Sequence, residues 1–144
     1  VVQRYLSKIS GPLLDRIDLH VEVTPVSFDE MTANRRSEGS AQIRERVIAA
    51  RQRQTQRFEN QRGVYANAMM PPEMVKDVCA IDGTGKTLLK QAMERLNLSA
   101  RAYDRILKVA RTIADLADNA TIRTEHLAEA IQYRSLDREN WAGD

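Results

Sequence analysis

The chain has 144 residues, 42% apolar and 29% charged, and its 22 Lys and Arg nearly balance 20 Asp and Glu for a net charge of +2. That size allows one domain of about 100–150 residues, or one domain with part of another, and the composition excludes a disordered chain. A single cysteine excludes a disulfide framework and a multi-cysteine metal site. No apolar run reaches the roughly 18 residues of a membrane span, and no signal-peptide pattern is visible. With aromatics at only 5%, the core rests on aliphatic residues, which favours packed helices over a sandwich or barrel. A soluble, cytoplasmic, mainly α chain is expected. It opens on Val1 and Val2 without a methionine, and so reads as a piece of something longer.

Residues 1–15 read as a short helix interrupted by the Ser10-Gly11-Pro12 turn, with Pro12 suited to a first helical turn. From Ile17 to Thr24 apolar residues fall at 17, 19, 21 and 23. That period of two predicts a strand with one buried face, ended by Pro25. A lone strand cannot satisfy its own backbone, so its neighbours are expected elsewhere. Residues 27–40 are polar and without periodicity, a linker. A helix is predicted over 41–60, with Ser40 as N-cap and Ile43, Val47, Ala50 and Phe58 on its buried side; Gly63 follows it. Pro71 and Pro72 open a helix through Cys79 that stops near Asp82-Gly83. Further helices are predicted from about Lys86 to Leu96, over 100–117 behind Ser99, and from Thr124 onward.

Residues 82–87, Asp-Gly-Thr-Gly-Lys-Thr, imitate a phosphate-binding P-loop. The motif needs a glycine five residues before Gly85, where this chain has Ala80, and it must follow a buried strand. The run before it is helical. The sequence therefore predicts a glycine-rich turn between two helices, with Gly83 capping the first.

Two stretches are more specific. One is Ser10 to Leu19 (SGPLLDRIDL), and the other is Leu98 to Leu116 (LSARAYDRILKVARTIADL). Together they resemble the magnesium-chelatase-like branch of AAA+ ATPases, and within it the competence-type members. The likeness continues through Ser40–Val47 and His126–Arg134, and so covers most of residues 3–134.

The resemblance implies a ring-forming ATPase, expected to be a hexamer, with nucleotide bound between neighbouring subunits. It assigns residues 1–27 to the C-terminal end of the α/β core, 28–40 to a linker, 41–136 to the helical lid domain and 137–144 to a loose tail. ATP and Mg are the cofactors it implies for the full-length protein. The chain shows no P-loop or Walker-B acid, so alone it is expected to be inactive and to need no cofactor. A DNA helicase driving branch migration in natural transformation is the implied function, with DNA as a partner and no membrane. One alternative is a magnesium-chelatase I-type subunit that uses ATP in porphyrin metallation. The other is a non-enzymatic helical DNA-binding or adaptor module.

Arg16 follows Leu13-Leu14 at the junction of a helical turn and the predicted strand. A held guanidinium is a forked, permanently charged donor suited to a phosphoryl group. A surface arginine paired to Asp15 or Asp18 fits the same residues. The resemblance implies an arginine finger in the Leu-Asp-Arg unit, acting in trans on the neighbour's γ-phosphate, with Asp15 orienting it or contacting that subunit. Arg101 lies in the first turn of the helix behind Ser99, where free N–H groups and the macrodipole attract anions. At about 100° per residue, Arg101, Arg105 and Lys108 form one basic stripe. Ile106, Val109, Ala110, Ile113, Leu116 and Ala117 lie away from it, facing the bundle. A solvated face is the ordinary reading of such a stripe; the resemblance implies that Arg101 is the sensor-2 arginine, reading ATP from its own subunit.

Residues 35–62 hold eight arginines against three glutamates, with Arg46, Arg53 and Arg57 along one stripe. No aromatic residue interleaves to stack bases, so water or subunit contacts are favoured over DNA. His126 reads as a helix-surface residue and Cys79 as a small apolar one. His20 lies far from His126 in sequence, without a metal-ligand pattern, and Trp141 has no argued role.

Overall fold

A computed structural model describes residues 13, 16–23, 25–28 and 37–134. The described residues form helices α1 (Ser40–Arg57), α2 (Pro72–Val78), α3 (Gly83–Arg95), α4 (Ala100–Leu116) and α5 (Thr124–Gln132), with a 3-10 turn at Asn67–Met69. This is the mainly α architecture that composition and periodicity predict. The helical reading of 1–15, apart from Leu13, and the tail 137–144 lie outside the described residues.

Local chemistry explains where these helices start and stop. Ser99 accepts a hydrogen bond from the Ala102 N–H at 3.2 Å and caps α4, as predicted. Two helices end in Schellman turns. Asn97 (φ 48°) follows α3 and Asp118 (φ 59°) follows α4. The Leu98 N–H returns to the Met93 carbonyl at 3.0 Å, and the Asn119 N–H to that of Ala114 at 2.8 Å. Both residues belong to the short polar class that tolerates left-handed backbone.

Several boundaries differ from the sequence reading. Gly39, not Ser40, is the N-cap of α1, and its N–H donates to the Gln42 side chain at 3.1 Å. Gly83 does not cap α2. It is the first residue of α3, and Asp82 caps that helix by accepting from the Gly85 N–H at 2.7 Å. The Gly-Thr-Gly-Lys run is therefore a helical first turn, with the Gly85 and Lys86 N–H groups already engaged by Asp82, and the helix α2 precedes it. A Cβ on Gly85 would lie 3.2 Å from the Asp82 carboxylate and 3.3 Å from the Ile81 Cβ, with Leu127 of α5 at 3.6 Å. Close packing, not phosphate, accounts for that glycine.

The core lies around α4, which packs against α5 and α1 and also touches α2 and the 3-10 turn. Leu89, Ile106, Leu107, Leu127 and Val75 are its buried centre, and each such side chain contributes about 1.5–3 kcal/mol by leaving water. Cys79 is buried there, and burial pushes its thiol up to about 11, which makes it unreactive at neutral pH. His126 is also buried rather than on the surface. Its Nδ1 accepts from the Arg123 N–H at 3.0 Å and caps α5. The buried side predicted for α1 forms only in part. Ala50 and Phe58 enter the core, whereas Ile43 and Val47, on the first half of the helix, remain exposed.

No strand forms among the described residues. Residues 17–23 run as a bend and irregular chain, and Ile17, Leu19, Val21 and Val23 are exposed, Val23 by 87%. Alternation specifies a strand only where a second strand exchanges backbone hydrogen bonds with it, and no described residue supplies one.

Candidate functional site

Arg101 stands exposed on the first turn of α4, at the edge of a groove of about 540 Å³. The α4 face supplies Arg105, Val109, Ile113 and Leu116 to its wall. Asp18 and Leu19 close one side, Ala68 of the 3-10 turn another, and Glu129 and Tyr133 the α5 side. Val109, Ile113 and Leu116 were expected to face the bundle with Ile106 and Ala110. Val109 and Ile113 do pack against that core, and with Leu116 they also give the groove an apolar floor. The groove combines hydrocarbon surface with an anion-attracting helix terminus.

The three cations of the α4 stripe are not equivalent. Arg105 pairs with the Asp18 carboxylate. Lys108 donates to the Ala68 carbonyl at 3.2 Å. Arg101 pairs with no acid among the described residues. Its guanidinium stands at the capped end of a helix, in a groove whose apolar floor is flanked by these cations and by the carboxylates of Asp18, Asp104 and Glu129. Among the described residues no three His, Cys, Asp or Glu side chains converge as metal ligands.

Arg16 is exposed, and its N–H closes a turn onto the Leu13 carbonyl at 3.0 Å. It does not line the groove, so the structure does not bring Arg16 and Arg101 to one point. Asp18, one of the partners considered for it, is engaged by Arg105. Asp15 lies outside the described residues.

The arginines of α1 are corrected more sharply. Arg46 forms a bidentate pair with Glu38 at 2.6 and 3.0 Å on the surface. Arg53 and Arg57, only partly exposed, reach across to α4 and its C-terminal end. Arg53 donates to the Asp115 carbonyl at 2.8 Å and pairs with Asp118. Arg57 grips the Asp115 carboxylate through both terminal nitrogens, at 2.8 and 2.5 Å. Asn67 adds a third donor at 2.8 Å, and Arg111 lies 3.2 Å away. Asp115 is fully buried. Burial opposes its charge, yet the hydrogen bonds from Arg57 and Asn67 outweigh that and hold its carboxyl below the usual range. Arg111 spans onward to the carbonyls of Asn119 (2.6 Å) and Ala120 (2.8 Å), tying down the α4–α5 connection. Sequence reasoning missed this network. Its one signal was an Arg and an Asp four apart, at 111 and 115, in an otherwise apolar helix half.

Residues 37–134 match the family described as magnesium chelatase, subunit ChlI C-terminal, and residues 1–31 match magnesium chelatase, subunit ChlI. The chain is 40% identical over 139 residues to competence protein ComM of Haemophilus influenzae, covering 95% of this chain and 26% of that protein. It is 39% identical over 137 residues to the uncharacterized protein YifB of Escherichia coli, covering 94% and 26%. An uncharacterized Mycobacterium tuberculosis protein is 34% identical over 132 residues, covering 92% and 26%. The chain therefore spans about a quarter of the length of these curated relatives.

Proposed function

Because the chain belongs to the magnesium chelatase ChlI family, we propose that it is the lid-bearing C-terminal part of a ring-forming AAA+ ATPase in which Arg101 and Arg16 serve two different nucleotides. Residues 41–136 make the lid in this reading, 28–40 the linker, and 1–27 the end of the α/β core. The observation that carries it is Arg101, exposed and with no acid paired to it among the described residues, at the capped start of α4 beside a groove with an apolar floor. An arginine there donates two parallel hydrogen bonds to a phosphoryl group and adds its charge to the field of the helix terminus. Arg101 is the sensor-2 residue, and its engagement draws α4 and the helices packed on it toward the nucleotide.

Arg16, exposed and outside this groove, is the arginine finger offered to the adjacent subunit, with Asp15 beside it orienting the guanidinium or meeting that subunit. ATP and Mg are the cofactors, ATP supplying the phosphoryl group whose transfer to water drives the ring. The residues named here bind and polarise that group; they do not cradle it, since the Gly83–Lys86 turn is a capped helix start. A hexamer working in the cytoplasm is the assembly. Similarity to ComM favours DNA as the object moved and branch migration in natural transformation as its setting. Membership of the magnesium chelatase family favours metal insertion into a porphyrin as the second reading.

The full-length protein tests the finger. Arg16→Ala should cut hydrolysis by about 10³–10⁵-fold with nucleotide affinity largely retained, because a finger acts on charge that develops in the transition state. Rings mixed from Arg16→Ala and a P-loop-dead variant should regain activity at interfaces that pair an intact loop with an intact finger. Mixed rings that exchange subunits yet stay inactive would remove the in-trans role. DNA-stimulated and porphyrin-stimulated hydrolysis, measured side by side, separates the two readings of the object moved.

A further inference from the structure

Residues 16–20 cross the outside of the bundle without a strand among the described residues to hold them, and three polar ties join them to α4 and the end of α5. The Ile17 carbonyl accepts from the guanidinium of Arg134, a residue with 0% exposure despite its charge. Asp18 is held by Arg105 of α4. The His20 N–H donates to the Tyr133 carbonyl at 2.8 Å, and the His20 side chain is buried. Leu19, between these ties, lines the same groove as Arg101. Arg105 follows Arg101 by four residues, so the two guanidinium groups leave the same face of one helix, a single turn apart.

The geometry points to Asp18 and Arg105 as positioning residues that couple the two nucleotide sites a subunit serves. This rests on the assignment of Arg16 as finger and Arg101 as sensor. When Arg101 engages its own nucleotide, α4 moves as a rigid rod and carries Arg105 with it. Arg105 carries Asp18, and Asp18 sets the path of the chain two residues from Arg16. The lid state of one subunit thereby fixes the finger presented to its neighbour, with no sheet needed to relay it. The Arg105–Asp18 pair is partly exposed and by itself weak. Its leverage is directional, because it is the tie made from the helix that bears the sensor, whereas the other two come from the end of α5.

Two arms test this. In the 144-residue chain, spin labels on cysteines replacing Val21 and Lys90, both exposed, report how firmly residues 17–20 are docked; the buried Cys79 thiol stays unlabelled. Asp18→Lys should broaden the distance distribution, and the charge swap Asp18→Lys with Arg105→Glu should narrow it again. In the full-length protein, Asp18→Lys should lower kcat roughly ten- to a hundredfold, and the swap should restore most of it. Arg16→Ala and Arg101→Ala are run alongside. A distribution that stays narrow in Asp18→Lys overturns the positioning role. So does a loosened segment with unchanged hydrolysis in a protein that Arg16→Ala inactivates, and that result leaves the finger assignment standing. Hydrolysis indifferent to Arg16→Ala and Arg101→Ala removes the finger and sensor assignment, and the coupling falls with it.

Discussion

The two ends of α4 carry the same kind of residue in opposite circumstances. Near its C-terminus Arg111 is buried beside Asp115, and that carboxylate also takes hydrogen bonds from Arg57 and Asn67. At the N-terminus Arg101 faces an open groove with no acid paired to it among the described residues. One end ties α1, the 3-10 turn and the α4–α5 connection into a single body; the other carries a cation that no described carboxylate engages. What an arginine does here is set by whether a carboxylate lies within reach.

If the comparison is sound, damage at the two ends should differ in kind. The largest effect on folding belongs to Asp115→Ala. Removing one member of a buried ionic network strands Arg57 and Arg111, and should cost about 3–5 kcal/mol, read as a fall in the denaturation midpoint. The same carboxylate sets an acid limit. Its folded pKa lies below the unfolded value of 3.8, so the stability it confers is present above that value. That stability is lost as pH falls below 3.8 toward the folded pKa. Asp115→Asn should flatten this acid dependence, measured as melting temperature against pH. A mutant as acid-sensitive as the parent would show that other carboxylates dominate.

Arg101→Ala should do the reverse. Alanine keeps helix propensity, so the melting temperature should hold, whereas hydrolysis by the full-length protein should drop about a hundredfold, as when one transition-state donor is lost. Lysine should rescue it only in part, since a point charge lacks the forked geometry. A large loss of stability with unchanged turnover would make the two ends of α4 alike and erase the contrast.

The smallest effect is expected at the imitation P-loop. Lys86→Ala removes an exposed side chain and should shift stability by no more than about 0.5 kcal/mol. The 144-residue chain should show no micromolar ATP affinity for the substitution to abolish. Tight binding by this chain, lost in Lys86→Ala, would move the phosphate site from α4 to α3.

Much of the fold was legible because it rests on local rules. Ser99 as a cap, Pro72 at a helix start and the apolar period through Ile106, Ala110 and Leu127 each declare themselves within a few residues. Arg101 was legible for the same reason, since a helix start and its field are local properties. The apolar face of α1 was misjudged in its first half because periodicity reports which residues share a side and not whether anything covers that side. Ile43 and Val47 share it with Ala50, yet only Ala50 is covered.

The sequence by itself determined a mainly helical chain, where most of its helices begin, the absence of a usable P-loop at 82–87 and the family resemblance that singles out Arg16 and Arg101. Only the tertiary structure decided which charges are structural. Arg57 meets Asp115 across 58 positions, Arg105 meets Asp18 across 87, and Arg134 meets the Ile17 carbonyl across 117. Such partners are chosen by packing, which brings distant segments together to bury apolar surface and leaves their charges to find one another. The alternation at 17–23 marks the limit of local reading. A strand is a property of two segments, and one segment's pattern becomes a ladder only when its neighbour is in place.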